Sequence, residues 1–473
     1  MGDEIARTSF AEADFTRFGE RLNAETSLAR EWLRGGRFSE AGFSIGFELE
    51  AWLLDHNCYP HSINERFLDE LANPLVVPEL SRFNVEFNCT PQVLGDFALR
   101  RAEMEMAELW ARSNVVAHGL DANMVMIGIL PTIRERDLTL DNISPLKRYH
   151  ALNHEVLRRR GGRPFRVAIE GRERLETEHT DVMLEAATTS FQVHIKVPAR
   201  LGHRYHNASV LVSGPVLAAC GNAPFLFGRT LWEETRIPLF EQAVALSGAH
   251  ADISRVTFGR DYFADSLETW LAENLEEYPV LLPIVFEDPR ERLRHLRLHN
   301  GTIWRWNRPL IGFEEDGSPH LRIEHRILPA GPTFIDMMAN AALYLGLVEH
   351  VVMNAMDERS PLPFAAARAN FYAAARDGLR ARLDWPGRPS TPAAALLLDE
   401  LIPAARAGLA NMGVDMTDRV RYLDVIEARV RSGQTGAAWQ RACLQARGGD
   451  FLELMALYCE RQRSGLPVHQ WDA

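Results

Sequence analysis

The chain has 473 residues, 46% of them hydrophobic and 25% charged, with a formal net charge of −12. That length holds roughly one to three domains and a sizeable core, and the acidic balance argues against nucleic acid as the main partner while leaving a nucleotide open. The five cysteines (Cys58, Cys89, Cys220, Cys443 and Cys459) are widely spaced without a C-x-x-C, which argues against disulfides and structural zinc and for a reducing, cytoplasmic setting.

In chain order, residues 1–38 read as an amphipathic helical lead-in ending at Gly35-Gly36; its acidic start has no apolar h-region, so it is not a signal peptide. Residues 43–54 form the first strand. In Gly46-Phe47-Glu48-Leu49-Glu50-Ala51-Trp52, Glu48 and Glu50 share one face while Phe47, Leu49 and Ala51 share the other. Residues 82–89 alternate likewise, with Arg82, Asn84, Glu86 and Asn88 opposite Phe83, Val85, Phe87 and Cys89. Residues 99–120 have helical spacing, 123–130 read as a buried strand, and 145–160 as a helix. Residues 161–187 look polar and irregular, a mobile loop.

The third alternating strand, 190–197, sets Gln192, His194 and Lys196 on one face and Phe191, Val193, Ile195 and Val197 on the other. A helix over 208–220 breaks at Gly221-Asn222-Ala223-Pro224-Phe225, and 303–309 read as a strand whose aromatics blur its faces. Residues 321–328 are the fourth alternating strand, with Arg322, Glu324 and Arg326 together. Residues 334–356 are the most apolar helix, but Asp336, Asn340, Glu349, His350 and Asn354 interrupt it, so it reads as a core helix and not a membrane span. Most of 364–463 reads as helix. Strands in runs without regular helical crossovers favour an α+β fold with an antiparallel or mixed sheet. Neither a P-loop nor a Rossmann fingerprint is present, and no repeat or low-complexity linker marks a domain boundary.

Any one of these strands reads equally well as a solvated sheet face. Together they do not, because a solvated face shows Thr, Ser and mixed long polars. Here the inward candidates are Glu48, Glu50, Glu86, His194, Glu324 and Arg326. Acids, one imidazole and arginines on sheet rungs suit a divalent cation and a phosphate. Only two of the 52 basic residues are lysine; one of them, Lys196, shares a face with His194 and is a candidate nucleotide-phosphate contact. Trp304 and Trp306 read as packing, and Arg236, after Glu233-Glu234, reads on its own as half of a helical salt bridge.

Gly46-Phe47-Glu48-Leu49-Glu50 resembles the G-x-E-x-E strand of the glutamate–cysteine ligase type 2 family. Further motifs follow in the family's order: Val85-Glu86-Phe87-Asn88-Cys89-Thr90-Pro91, Thr189-Ser190-Phe191-Gln192-Val193-His194, Gly221-Asn222-Ala223-Pro224-Phe225-Leu226-Phe227-Gly228, Arg305-Trp306-Asn307-Arg308-Pro309 and Arg322-Ile323-Glu324-His325-Arg326. The likeness spans about residues 43 to 445. Asn307 stands where the family often has Asp, Gly221-Asn222-Ala223 replaces its S-A-N-S, and residues 1–40 and 161–187 match none of its motifs.

The resemblance implies a glutamine-synthetase-like fold: a curved, mainly antiparallel sheet with a polar concave face, helices on its convex face, and a helical C-terminal part. It divides the chain into a helical extension (1–40), a ligase catalytic domain (41–360) and helices packed on that domain (361–473). It implies metal ligands at Glu48, Glu50, Glu79, Glu86, His194 and Glu324, holding ATP phosphates through Mg²⁺ or Mn²⁺. Arg326 would stabilise the transferring phosphoryl group, Arg236 would hold a substrate carboxylate, and Arg308 and Asn222 would lie on the substrate side. The implied reaction phosphorylates a carboxylate, the γ-carboxylate of glutamate, and passes the acyl phosphate to an amine such as cysteine. The partners are then small carboxylates and amines, without nucleic acid or membrane, and a homodimer is the candidate assembly. Two other functions compete: a guanidino kinase-like phosphotransferase, and a non-catalytic relative that binds nucleotide or metal.

Overall fold

A computed structural model describes residues 4–5, 7–246, 254–354 and 362–472. The lead-in is helix α1 (Glu12–Arg34), with Gly35 at its C-cap. Strand β1 (Ser44–Leu54) follows, then α2 (Asn64–Leu71), β2 (Val76–Pro78), β3 (Asn84–Asn88) and β4 (Gln92–Val93). Next come α3 (Ala98–Gly119), β5 (Asn123–Val125), α4 (Lys147–Arg159), the hairpin β6 (Phe165–Glu170) and β7 (Arg174–His179), and β8 (Phe191–Val197). Helices α5 (Gly202–Cys220), α6 (Arg236–Ala243), α7 (Glu268–Glu277) and α8 (Arg294–Gly301) lead to β9 (Asn307–Phe313) and β10 (Pro319–His325). Helices α9 (Phe334–Asn354) and α10 (Phe364–Asp377) open the helical remainder of the chain.

The main sheet has eight strands in the order β9-β10-β8-β1-β3-β2, with β4 and β5 also paired to β1. Every pairing in it is antiparallel. The four alternating segments read from the sequence are therefore consecutive neighbours: β10, β8, β1 and β3. Their apolar sides form one layer over the helices. Phe47 stacks on Phe191 with ring centroids 5.4 Å apart, and Leu49, Ala51, Val193, Ile195 and Ile323 join the same buried cluster as residues of α5 and α9. Burying such side chains contributes about 1.5–3 kcal/mol each for the larger ones, and it fixes register, because a one-residue slip would turn every glutamate into that core.

Helix α9 is long and apolar enough to cross a membrane, yet it packs against α3, α5 and the helices over Ile402–Asn411 and Met416–Ser432. Its residues from Asp336 to Glu349 are all buried. Asp336 meets Arg429 at 2.8 Å, and Asn340 accepts from the same guanidinium, so its polar residues are core partners. At the crossing with Ile402–Asn411, a Cβ on Gly346 would fall 2.3 Å from the Ala405 carbonyl and one on Gly408 1.9 Å from the Gly346 carbonyl. The two backbones touch there, which only glycine permits.

Two expectations need correction. Residues 161–187 are no irregular loop: Phe165, Val167 and Ile169 point inward from β6, and a 3₁₀ turn over Met183–Ala187 closes the segment. Most of 364–463 is helix as expected, with a hairpin, Arg382–Trp385 with Arg388–Pro392, between its helices. In the stretch 123–130 only Asn123–Val125 pairs as strand, although the rest is buried.

Candidate active site

The polar face of the sheet gathers the predicted acids into two groups. Residues i and i+2 on a strand lie about 6.6 Å apart on one face, and Glu48 and Glu50 do not turn toward one common point. Each instead leans toward a different neighbour. Glu48, His194 and Glu324 bring their ligand atoms within 4.8 Å of one another, and so do Glu50, Glu79 and Glu86. The register explains both groups: Glu324 on β10 is directly opposite His194 on β8, and Glu50 on β1 is directly opposite Glu86 on β3.

In the first triad the His194 Nε2 lies 3.3 Å from Glu48 and 3.9 Å from Glu324. Both ring nitrogens of His194 are buried without a hydrogen-bond partner. Arg308 forks onto Glu324, its Nε and NH2 donating at 2.5 and 2.8 Å, and the Arg326 NH1 is 3.8 Å from the same carboxylate. Burial would raise the Glu324 carboxyl, but Arg308 and then Arg326 outweigh it and hold it at about 2. Burial is likewise outweighed at Glu48 by His194, which leaves that carboxyl below its usual range.

The second triad is all carboxylate. Glu50 accepts from the Ser190 amide at 2.7 Å, the Ser190 hydroxyl at 2.9 Å and the Gln192 amide at 3.1 Å. Glu86 accepts from Asn88 and Glu79 from the Leu80 amide. Among the described residues none of the three makes an ion pair within 4.0 Å. Burial, and next the Glu79 charge, raise Glu50 to about 7. Burial and then the Glu48 charge push Glu86 well above its usual range, and burial also raises Glu79.

A cavity opens beside the second triad, lined by Glu50, Glu79, Glu185, Arg236, Trp306 and Arg326 among others. Arg326 follows directly after β10, and its amide donates to the Trp306 carbonyl, which continues the strand's alternation one residue further. Its guanidinium lies over the Phe240 ring at 5.6 Å. Arg236, in the first turn of α6, pairs with Glu234 at 3.5 Å and donates to the Ile327 carbonyl. The Arg236 Nε and the Arg326 NH1 are buried without a hydrogen-bond partner. Trp306 is anchored from behind: its indole N–H and the Tyr372 hydroxyl both donate to Glu241.

The remaining predicted residues fall elsewhere. Arg308, expected on the substrate side, is Glu324's partner in the first triad. Asn222 lies outside the cavity, fully buried, donating to the Ala330 carbonyl and the Tyr458 hydroxyl and accepting from Gln440. It touches the site only through its amide, which donates to Glu234, the carboxylate behind Arg236. Lys196 pairs with Glu314 at 2.8 Å, two residues along β8 from His194. Glu185, Thr188, Phe240 and Trp306 line the cavity without having been singled out as binding residues. Asn307, where the family often has Asp, accepts from His325 Nδ1 at 2.7 Å and donates to Ser213, a buried pairing beneath the sheet.

The donor sets fit divalent cations. A buried imidazole between two carboxylates, and three clustered carboxylates with no ion pair among the described residues, are arrangements that a hard cation compensates.

The sequence profile described as glutamate–cysteine ligase family 2 matches residues 44–456. Two solved structures share the fold. A glutamate–cysteine ligase from Francisella tularensis, determined in complex with AMP, superposes with a TM-score of 0.58 at 12% identity over 90% of each chain. A bifunctional glutathione synthetase from Pasteurella multocida gives a TM-score of 0.52 at 11% identity, over 93% of this chain and 54% of that one. No curated protein sequence matches.

Proposed function

The chain belongs to glutamate–cysteine ligase family 2, an ATP-dependent carboxylate–amine ligase family, and on that premise we propose that it activates the γ-carboxylate of glutamate and joins it to an amine. The observation that carries the proposal is the pair of triads flanking Arg326, one of them holding an imidazole with neither ring nitrogen hydrogen-bonded.

Glu48, His194 and Glu324 would hold one Mg²⁺ or Mn²⁺, and Glu50, Glu79 and Glu86 another. The cations, when bound, neutralise triphosphate charge. The chain's own groups do the rest. Arg236, whose guanidinium lines the cavity, holds a substrate carboxylate. Arg326 meets charge on the phosphoryl group as the donor carboxylate attacks the γ-phosphorus and the bond to ADP breaks. The amine nitrogen then attacks the acyl carbon, phosphate leaves, and the nitrogen loses its proton. No protein nucleophile is needed. Trp306 and Phe240 wall the cavity and limit water, which would otherwise hydrolyse the acyl phosphate. Lys196 lies on the same face as His194 and serves the triphosphate. The helices over residues 364–432 share the buried cluster of the catalytic sheet, and those over 436–463 join a second cluster with Trp52 and Leu54 of β1, which supports one unit.

The test supplies ATP, Mg²⁺ and glutamate with a panel of amino acids and amines, and reads ADP release and product mass. An amide of donor and amine is expected. A phosphorylated guanidine would replace this reading with the kinase alternative, and ATP binding without turnover across the panel would replace it with the regulatory one.

A further inference from the structure

We propose that Glu185 is the residue that recognises a substrate ammonium group, and that it thereby selects an amino-acid donor over the corresponding plain dicarboxylic acid. The inference deepens the ligase reading above and rests on it for the statement that the donor is an amino acid.

Glu185 belongs to the segment 161–187 that carries no family motif, yet it reaches the cavity beside Arg236 and Arg326. Its backbone is pinned on both sides. Its amide donates to the Val182 carbonyl at 3.1 Å, and its carbonyl accepts from both the Thr188 amide and hydroxyl. Met183 and Val182 are held in turn by Asp181 and Asn153. The carboxylate itself makes no hydrogen bond and no ion pair within 4.0 Å among the described residues, and its oxygens are not among those of either triad. A half-buried carboxylate with no partner is costly unless a cation arrives with the ligand.

The cavity therefore offers both signs. Arg236 and Arg326 line it with guanidinium groups, and Glu185 lines it with a carboxyl group that has no partner among the described residues. A ligand carrying carboxylate and ammonium together answers both. The ammonium concerned is the one that does not react. An acceptor amine must be neutral to attack, and a neighbouring carboxylate would favour its charged, unreactive form. The donor's α-ammonium has no such requirement.

The experiment measures binding by calorimetry of two matched pairs, glutamate with glutarate and aspartate with succinate, to the wild type, Glu185→Gln and Glu185→Asp. The wild type is expected to bind the amino-bearing member of its preferred pair about 50-fold tighter or more, because a site built around a polar substrate group rejects the analogue lacking it. Glu185→Gln should bring the two members within about threefold, mainly by weakening the amino acid, and Glu185→Asp should keep part of the preference. Because Gln is a neutral isostere of a carboxyl group that burial keeps protonated to about 8 in the empty site, the empty variant should melt no lower than the wild type, so loss of folding cannot imitate the result. A wild type that binds both members alike or binds neither, or a Glu185→Gln variant that keeps the preference, overturns the proposal. A variant that keeps the preference while kcat alone falls makes Glu185 a proton acceptor instead. The ligase reading fails by a separate readout, the absence of an amide product from the wild type.

Discussion

The two triads share a sheet face and a central strand, yet they are opposite electrostatic designs. The first brings its own cations: Arg308 forks onto Glu324 and Arg326 stands behind it, so the carboxylates are ionised in the bare protein. The second has three carboxylates with no ion pair among the described residues, and burial with mutual repulsion holds them toward the protonated form. The difference assigns labour. A compensated site is shaped before any ligand arrives, whereas the second site becomes fully charged only with a cation in it, next to the cavity where substrates meet.

The sharpest way to break this comparison is to make the same substitution in both triads. Glu324→Gln removes the counter-charge from two guanidinium groups whose side chains are only 13% and 11% exposed, so it should destabilise the fold by about 3–5 kcal/mol in a urea titration. Glu86→Gln relieves repulsion and should leave the metal-free protein as stable as before or more so. Both variants should lose about a thousandfold or more in amine-dependent ADP release, because each removes a group that holds transferring charge. Equal destabilisation by the two substitutions would refute the contrast, and full activity in either would refute the assignment of its triad.

A smaller effect follows from pH. Glu50 in the second triad and Glu185 beside it keep their protons to about 7 and about 8 in the folded, metal-free chain, against an ordinary value of 4.5. The folded state thus binds more protons than the unfolded state across that window. The stability they contribute is complete below about pH 4.5 and is lost as pH rises through 7 and 8. Burial lowers His206, His299, His320 and His325, which act in the opposite sense up to about pH 6.5, so melting temperature measured in chelator should fall between about pH 7 and pH 8, and millimolar Mg²⁺ should flatten that slope by compensating Glu50. A slope indifferent to Mg²⁺ would mean that no cation enters the second triad.

Much of this contrast was written in the sequence, though not its division. Strand period brings Glu48, Glu50, Glu86, His194, Glu324 and Arg326 to one face with no tertiary information, and the family resemblance adds Glu79. Pairing is what separates Glu48 from Glu50, since it depends on which strand lies on each side of β1. Arg308 shows the same limit: its place opposite Glu324 is a matter of register between β9 and β10, and the motif alone put it with the substrate. The cavity wall was less legible still. Glu185 comes from a 3₁₀ turn, which has no repeating signature of useful length. The hairpin before it does alternate, at Phe165, Val167 and Ile169, but its outward face of Arg166, Ala168 and Glu170 and its glycine-bearing turn read as loop composition.

The mildest test concerns the rim of the first triad. Lys196 lies on the same face as His194 but two residues away, and Glu314 already holds its ammonium at 2.8 Å. Both side chains are partly exposed, at 16% and 29%, so the pair itself contributes little to stability, about 1 kcal/mol or less. If the triphosphate extends from the first triad along β8, Lys196 acts on ATP as a point charge at its periphery. Such a contact is equally strong in the ground state and the transition state and therefore moves KM alone. Lys196→Met should raise KM for ATP by about five- to tenfold while kcat changes less than about twofold, an effect that fades at high salt. An unchanged KM would reduce Lys196 to the structural partner of Glu314, and would place the triphosphate toward the second triad, whose bare carboxylates have the greater need of a cation.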